Sequence, residues 1–122
     1  MVREIKFKVW DYNHNKFVTN KDSVIDIMLD YDTGLLRTIA RYKLLQYIGL
    51  KDKNGNEIYE GDVIKDNVGR IWLIDFYEEN SSFIFRYIKD LSQYQYIDRF
   101  LSFQLPLEII GNKFCNPELL EK

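Results

Sequence analysis

The chain has 122 residues, a formal net charge of −2 and a pI near 5.4. Hydrophobic residues make up 46% and charged residues 30%, the balance of a folded globular protein, and the length predicts one domain over residues 1–122 that buries roughly two thirds of its unfolded surface. No block of five like charges occurs, which with the small acidic excess excludes a bulk electrostatic drive toward nucleic acid or an anionic membrane.

Aromatic residues reach 16%, with nine Tyr and eight Phe. They suit a pleated, half-buried surface and favour strands. From the N-terminus, Ile5, Phe7 and Val9 alternate with Lys6 and Lys8, the period of a strand with one wet face. The turn formers Asp11 to Lys16 follow, then Phe17 and Val18. This predicts a β-hairpin with its tip near Asn13 to Asn15. Val24, Ile25, Ile27 and Leu29 suit a second strand, and Asp30 to Gly34 a loop with positive φ at Gly34. Leu35 to Tyr42 fits a strand or a short helix, and its spacing does not decide.

Leu45, Tyr47 and Gly49 precede Asp52-Lys53-Asn54-Gly55-Asn56. Asn-Gly is the strongest short hairpin signal, since a type I′ turn needs positive φ at both central residues. Gly61-Asp62 predicts a corner leading into Val63, Ile64 and Lys65. Asp66 to Gly69 predicts a second tight turn. Arg70 to Tyr77 is apolar on both faces, which places it centrally or under cover on both sides. Glu78 to Ser82 is a polar loop, and Phe83 to Lys89 is again extended.

Leu91, Tyr94, Ile97 and Leu101 recur at helical spacing, with Asp90 as N-cap and Gln93 at N3. This is the principal helix expectation. Pro106 ends it or lies in the loop after it, Leu107 to Phe114 reads as a final strand, and Asn116-Pro117-Glu118 starts a short helical turn. Several short strands, tight turns and no repeat predict a mainly β fold. A small barrel or a rolled antiparallel sheet with one or two short helices is the natural architecture, because closure removes exposed edges.

Three blocks of residues resemble a known family. They are REIKFKVWD (Arg3 to Asp11), LLQYIGLKDKNGNEIYEGDVIK (Leu44 to Lys65) and EIIGNKFCNPELL (Glu108 to Leu120). Together they cover about a third of the chain, and they resemble the YopX-like proteins of bacteriophages and prophages of low-GC Gram-positive bacteria. The chain departs from the usual pattern at Ile48 and Cys115, and residues 20–43 and 78–106 match it poorly. The resemblance implies an SH3-like barrel with some helical additions and oligomeric assembly. It carries no catalytic residues with it.

Each polar cluster has a simpler structural role beside its chemical one. Asp52, Asn54 and Asn56 imitate the opening of a calcium loop, but its sixth and twelfth positions hold Glu57 and Val63 rather than glycine and glutamate. The turn reading is preferred. Glu57, Glu60 and Asp62 could serve acid–base chemistry or a metal, yet no histidine is near them in sequence. His14, the only histidine, sits at the first hairpin tip. Cys115, the lone cysteine, forms no internal disulfide and reads as a small, partly buried residue. Asn80-Ser81-Ser82 matches a glycosylation pattern but follows no secretory signal. No Walker loop, dinucleotide fingerprint, zinc spacing or nucleophile elbow occurs. No cofactor or metal is implied.

Lys6, Lys8, Trp10, Tyr12 and Lys16 form a basic and aromatic group that could hold single-stranded nucleic acid by charge and stacking. The simpler role is an edge hairpin kept soluble by lysines. The leading expectation is a non-enzymatic phage or prophage accessory protein that binds or assembles, chiefly with copies of itself or with a phage or host protein. A nucleic-acid-binding barrel is the alternative, and a small metal-dependent or hydrolytic enzyme the third. No run approaches the ~18 apolar residues of a membrane span, so no membrane partner is expected and the cytoplasm of the bacterial host is the expected compartment.

Overall fold

The structure is a computed structural model that describes residues 6–32, 41–96 and 106–120. It is mainly β, with antiparallel sheet curled into a half-barrel. One sheet has the order β2-β1-β3-β4 and the other β8-β7-β6-β5-β9.

The first hairpin forms as its alternation predicts. Strands β1 (Phe7–Asp11) and β2 (Lys16–Phe17) pair Trp10 with Phe17 and Asp11 with Lys16. Asn15 at the tip takes φ 51°, a left-handed position that asparagine tolerates better than most residues. Strand β3 (Tyr42–Lys51) pairs first with β1 and then with β4 (Glu57–Tyr59).

The Asn54-Gly55 hairpin is present, but its turn differs from the expected type I′. Only Gly55 has positive φ there, at 85°. The Gly55 N–H donates to the Asp52 carbonyl (3.0 Å) and the Asp52 N–H to the Asn56 carbonyl (2.8 Å). This is a type I turn closed by a left-handed glycine, a three-residue hairpin loop. The turn between β5 (Asp62–Lys65) and β6 (Ile71–Tyr77) repeats it. There the Gly69 N–H donates to the Asp66 carbonyl (3.2 Å) and the Asp66 N–H to the Arg70 carbonyl (2.9 Å). One device, Asp-x-x-Gly-x, thus turns the chain twice.

Strand β6 is central, flanked by β5 and by β7 (Ser82–Tyr87). Its two apolar faces serve two clusters. Trp72 and Ile74 join Ile48, Ile58, Ile64, Phe85 and Leu107 in the main core, which spans both sheets. Leu73 joins Val63 and Ile88 on the other side, under Ile71, Leu119 and Leu120. Between β6 and β7, Glu78–Asn80 form a short 3-10 turn that ends at Ser81 in the left-handed region.

Two expectations are corrected. Residues Lys21–Asp32 form a helix, α1, rather than a strand at Val24 to Leu29 and a loop that starts at Asp30. The Asn20 side chain accepts the Ser23 N–H at 3.0 Å and caps it. Val24, Ile27 and Met28 turn inward at helical spacing, while Ile25 and Leu29 point outward. The run of five apolar residues among 24–29 satisfied both periods, and the cap decides between them.

The second correction concerns Asp90. It caps a turn rather than a helix, its carboxylate accepting the Ser92 N–H (3.1 Å) and hydroxyl (2.6 Å). The chain then returns as β8 (Tyr94–Tyr96), pairing Tyr94 with Arg86 and Tyr96 with Ile84. Tyr94 stacks on Tyr77 at 5.3 Å, so cross-strand aromatic contact stabilises the extended form. The expected helix beyond Tyr96, and the expectations for 33–40, lie outside the described residues.

Strand β9 (Glu108–Asn112) closes on β5 with a bulge, and Pro117–Leu120 form a 3-10 turn against it. Gly111 lets this turn approach. A Cβ there would meet Leu119 at 2.4 Å and Asn116 Oδ1 at 2.9 Å.

Candidate functional site

Most of the buried polar groups are carboxylates that organise backbone. The Asp52 Oδ1 accepts the N–H groups of Asn54 and Asn56, both at 2.9 Å, and its Oδ2 that of Ile109 at 3.2 Å. Burial opposes its charge, but these donors outweigh it and hold its carboxyl below the usual range. The calcium-like spelling of this loop is therefore an Asp-capped turn whose carboxylate lone pairs face N–H groups.

Asp66 is the counterpart. Its Oδ1 accepts the Val68 N–H (3.0 Å) and Arg70 N–H (2.9 Å), and its Oδ2 the Arg70 Nε (2.8 Å) and Trp72 Nε1 (3.0 Å). Burial is again outweighed, and the carboxyl lies below its usual range.

Glu57, Glu60 and Asp62 adjoin in sequence but divide in space. Glu57 meets Lys6 Nζ at 2.6 Å and the Tyr59 hydroxyl at 3.3 Å, and the lysine lowers its pKa. Asp62 is buried. It accepts the Tyr59 N–H at 2.8 Å and Asn112 Nδ2 at 3.2 Å, and burial pushes its carboxyl up. Burial also raises Glu60. None of these three meets His14, which bonds Asp11 instead. Among the described residues no group of three His, Cys, Asp or Glu side chains is placed to hold a metal ion. Cys115 lies in the turn after β9 and is exposed there rather than partly buried.

At the first hairpin, buried Asp11 gathers His14 Nδ1 (2.8 Å), Arg41 Nη2 (3.2 Å) and the Asn13 N–H (2.9 Å). Burial raises its carboxyl, but the bonds from Arg41, His14 and Asn13 bring it from 3.8 down to about 2. A depressed carboxyl contributes stability that is complete above pH 3.8 and lost as pH falls through about 2. In that window the unfolded chain binds more protons than the folded one. Asp11→Asn is expected to flatten this part of the stability curve. Urea unfolding of both proteins at several pH values checks it, because the difference between them removes the opposite contributions of Glu60 and Asp62. Parallel curves below pH 4 would show that Asp11 is not the titrating group.

The basic and aromatic residues of this hairpin are divided too. Lys6 is paired with Glu57, and Lys8 lies over the rings of Tyr59 (4.4 Å) and Phe17 (5.4 Å). Trp10 is 3% exposed, packed between Phe17 (4.9 Å) and Phe114 (5.4 Å). Tyr12 is 46% exposed beside Phe114, and Lys16 is exposed. A base stacking on this hairpin would meet Tyr12, since the Trp10 ring is enclosed.

The sequence reading missed a cleft of about 510 Å³ beside the second apolar cluster. The Asp66–Arg70 turn supplies Val68, β6 supplies Ile71, the end of β7 leads to Ile88, the β9 bulge supplies Ile110, and the C-terminal turn supplies Leu119. Gly69, Arg70, Tyr87 and Lys89 complete the lining, and no carboxylate is part of it. Val68 is 69% exposed. An aliphatic residue at a hairpin tip was the one legible sign, since such tips are normally polar.

Among the described residues no helix is long and apolar enough to cross a membrane. The chain is similar in fold to the crystal structure of protein EF1440 from Enterococcus faecalis, at a TM-score of 0.55 and 20% identity, covering 98% of this chain and 100% of that one. No curated protein gives a significant match. The family model of the YopX protein matches residues 6–121, in agreement with the resemblance of the three sequence blocks. The chain belongs to the YopX family.

Proposed function

We propose that this protein is a phage or prophage accessory protein that acts by binding and assembly rather than by catalysis, in the cytoplasm of its bacterial host and as a homo-oligomer. The phage setting rests on the family resemblance. The observation that carries the binding reading is the aliphatic cleft, which leaves Val68 and Ile110 exposed around an apolar floor. Exposed apolar surface gathered in a concave site is the usual mark of an interaction surface. The polar clusters support the same reading. Asp11, Asp52, Asp62 and Asp66 are each buried, and each accepts at least one backbone N–H. Their bonds hold turns in place, a structural duty that needs no substrate.

Size-exclusion chromatography with light scattering tests the assembly reading. A mass above that of one chain at high micromolar concentration is expected. A strict monomer there would remove homo-oligomerisation from the proposal.

A further inference from the structure

We infer that the aliphatic cleft receives helix α1 of a second copy of this chain. The inference rests on the assembly reading above and names the two surfaces that meet. The cleft is one apolar surface, left open among the described residues. The outward face of α1 is the other, with Ile25 47% and Leu29 63% exposed. These two residues stand one helical turn apart, so their side chains project side by side. The cleft, at about 510 Å³, has room for such a pair.

Charge selects the same partner. Asp22 and Asp26 flank Ile25 on the exposed side of α1, and the last turn of the helix carries no basic residue. The cleft lining carries Arg70 and Lys89 and no acid. Arg70 is held by Asp66 at 2.8 Å, whereas Lys89 is exposed and forms no ion pair with a described residue. An acidic helix with an aliphatic pair thus fits a basic-rimmed aliphatic cleft, and this chain carries both. Charges placed this way set register and partner choice more than affinity, while the aliphatic pair supplies the buried area. Each copy offers one cleft and one helix, so two copies can exchange them in a reciprocal twofold dimer, or successive copies can join head to tail into a ring or filament.

The test uses the full chain and three surface variants, Leu29→Ala, Lys89→Glu and Asp26→Lys, each checked for an unchanged far-UV circular dichroism spectrum. Sedimentation equilibrium reads the association constant. Leu29→Ala is expected to weaken association by roughly tenfold to a hundredfold, the effect of removing most of one buried leucine. Lys89→Glu and Asp26→Lys should each weaken it, and an equimolar mixture of the two should recover it, since the mixture pairs an intact cleft with an intact helix. If the wild-type protein associates and the variants associate equally well, or if the mixture shows no recovery, this interface is overturned while assembly through another surface stands. A wild-type protein that is monomeric throughout overturns both.

Discussion

Replacing Asp66 with alanine is expected to lower the unfolding free energy by about 3 kcal/mol, through donors left without an acceptor rather than through loss of an ion pair. Four donors converge on this carboxylate, and its side chain is fully buried. Arg70 is 40% exposed, so its pairing contributes little by itself. The Trp72 indole N–H is different. It is buried in the main core and donates to an Asp66 oxygen at 3.0 Å. Leaving a buried donor unsatisfied costs about 1–3 kcal/mol, and two backbone N–H groups of the turn lose their acceptor as well. Asp66→Asn keeps an acceptor oxygen and should lose less. Urea unfolding of the two variants, followed by tryptophan fluorescence, separates these effects. If both lost under about 0.5 kcal/mol, a range typical of neutral surface changes, the capped turn would not be contributing as described.

Truncation of Phe85 is expected to cost more, about 3–5 kcal/mol for Phe85→Ala. The ring is fully buried on β7, opposite Ile74 in the pairing with β6. It packs in the cluster that joins the two sheets through Ile48, Ile58, Ile64 and Trp72. The cost has two parts, the lost transfer of the ring from water and the cavity that a rigid sheet cannot close. Against a total stability of about 5–15 kcal/mol, this variant should be marginal at 25 °C. Denaturant unfolding gives the value. Phe83→Ala, at a partly buried site on the same strand face, serves as the comparison and should lose less. Equal losses at the two sites would mean that the core is not centred on Phe85.

The local turns were the most legible part of this chain. Asp52 to Asn56 and Asp66 to Arg70 close by bonds that lie entirely within five residues. Nothing distant is needed to form them, so residue type alone announces them. Even so, the spelling Asn-Gly pointed to a type I′ turn, and the structure chose a type I turn with a left-handed glycine. The Asp52 carboxylate, which collects the Asn54 and Asn56 N–H groups, made that choice. The turn at Gly61 was legible for the same local reason, with φ at 90° and the Asp62 carboxylate on the Tyr59 N–H.

Where two periods fitted the same residues, context beyond the local pattern decided. Val24 to Leu29 became helical under the Asn20 cap, a signal that was present in the sequence but outweighed by its β-branched residues. Leu91 to Tyr96 went the other way. The aromatic faces of Tyr77 and Tyr94 and the free edge of β7 were there to receive a strand. Those partners come from different parts of the chain, and no window of helical spacing reports them.

The central segment Leu44 to Lys65, by itself, determined a strand, a capped turn and a corner, and with the two terminal blocks it pointed to a family. Tertiary structure decided which of the remaining residues are available to anything else. Trp10 reads as an exposed aromatic beside lysines until Phe114, from the other end of the chain, closes over it. Val68, Ile88, Ile110 and Leu119 carry no shared motif and become one cleft only when β9 pairs with β5 beside β6. Turns are encoded by neighbours in sequence. Enclosure and exposure are set by neighbours in space, which is why the family and the turns were readable from the residues and the cleft was not.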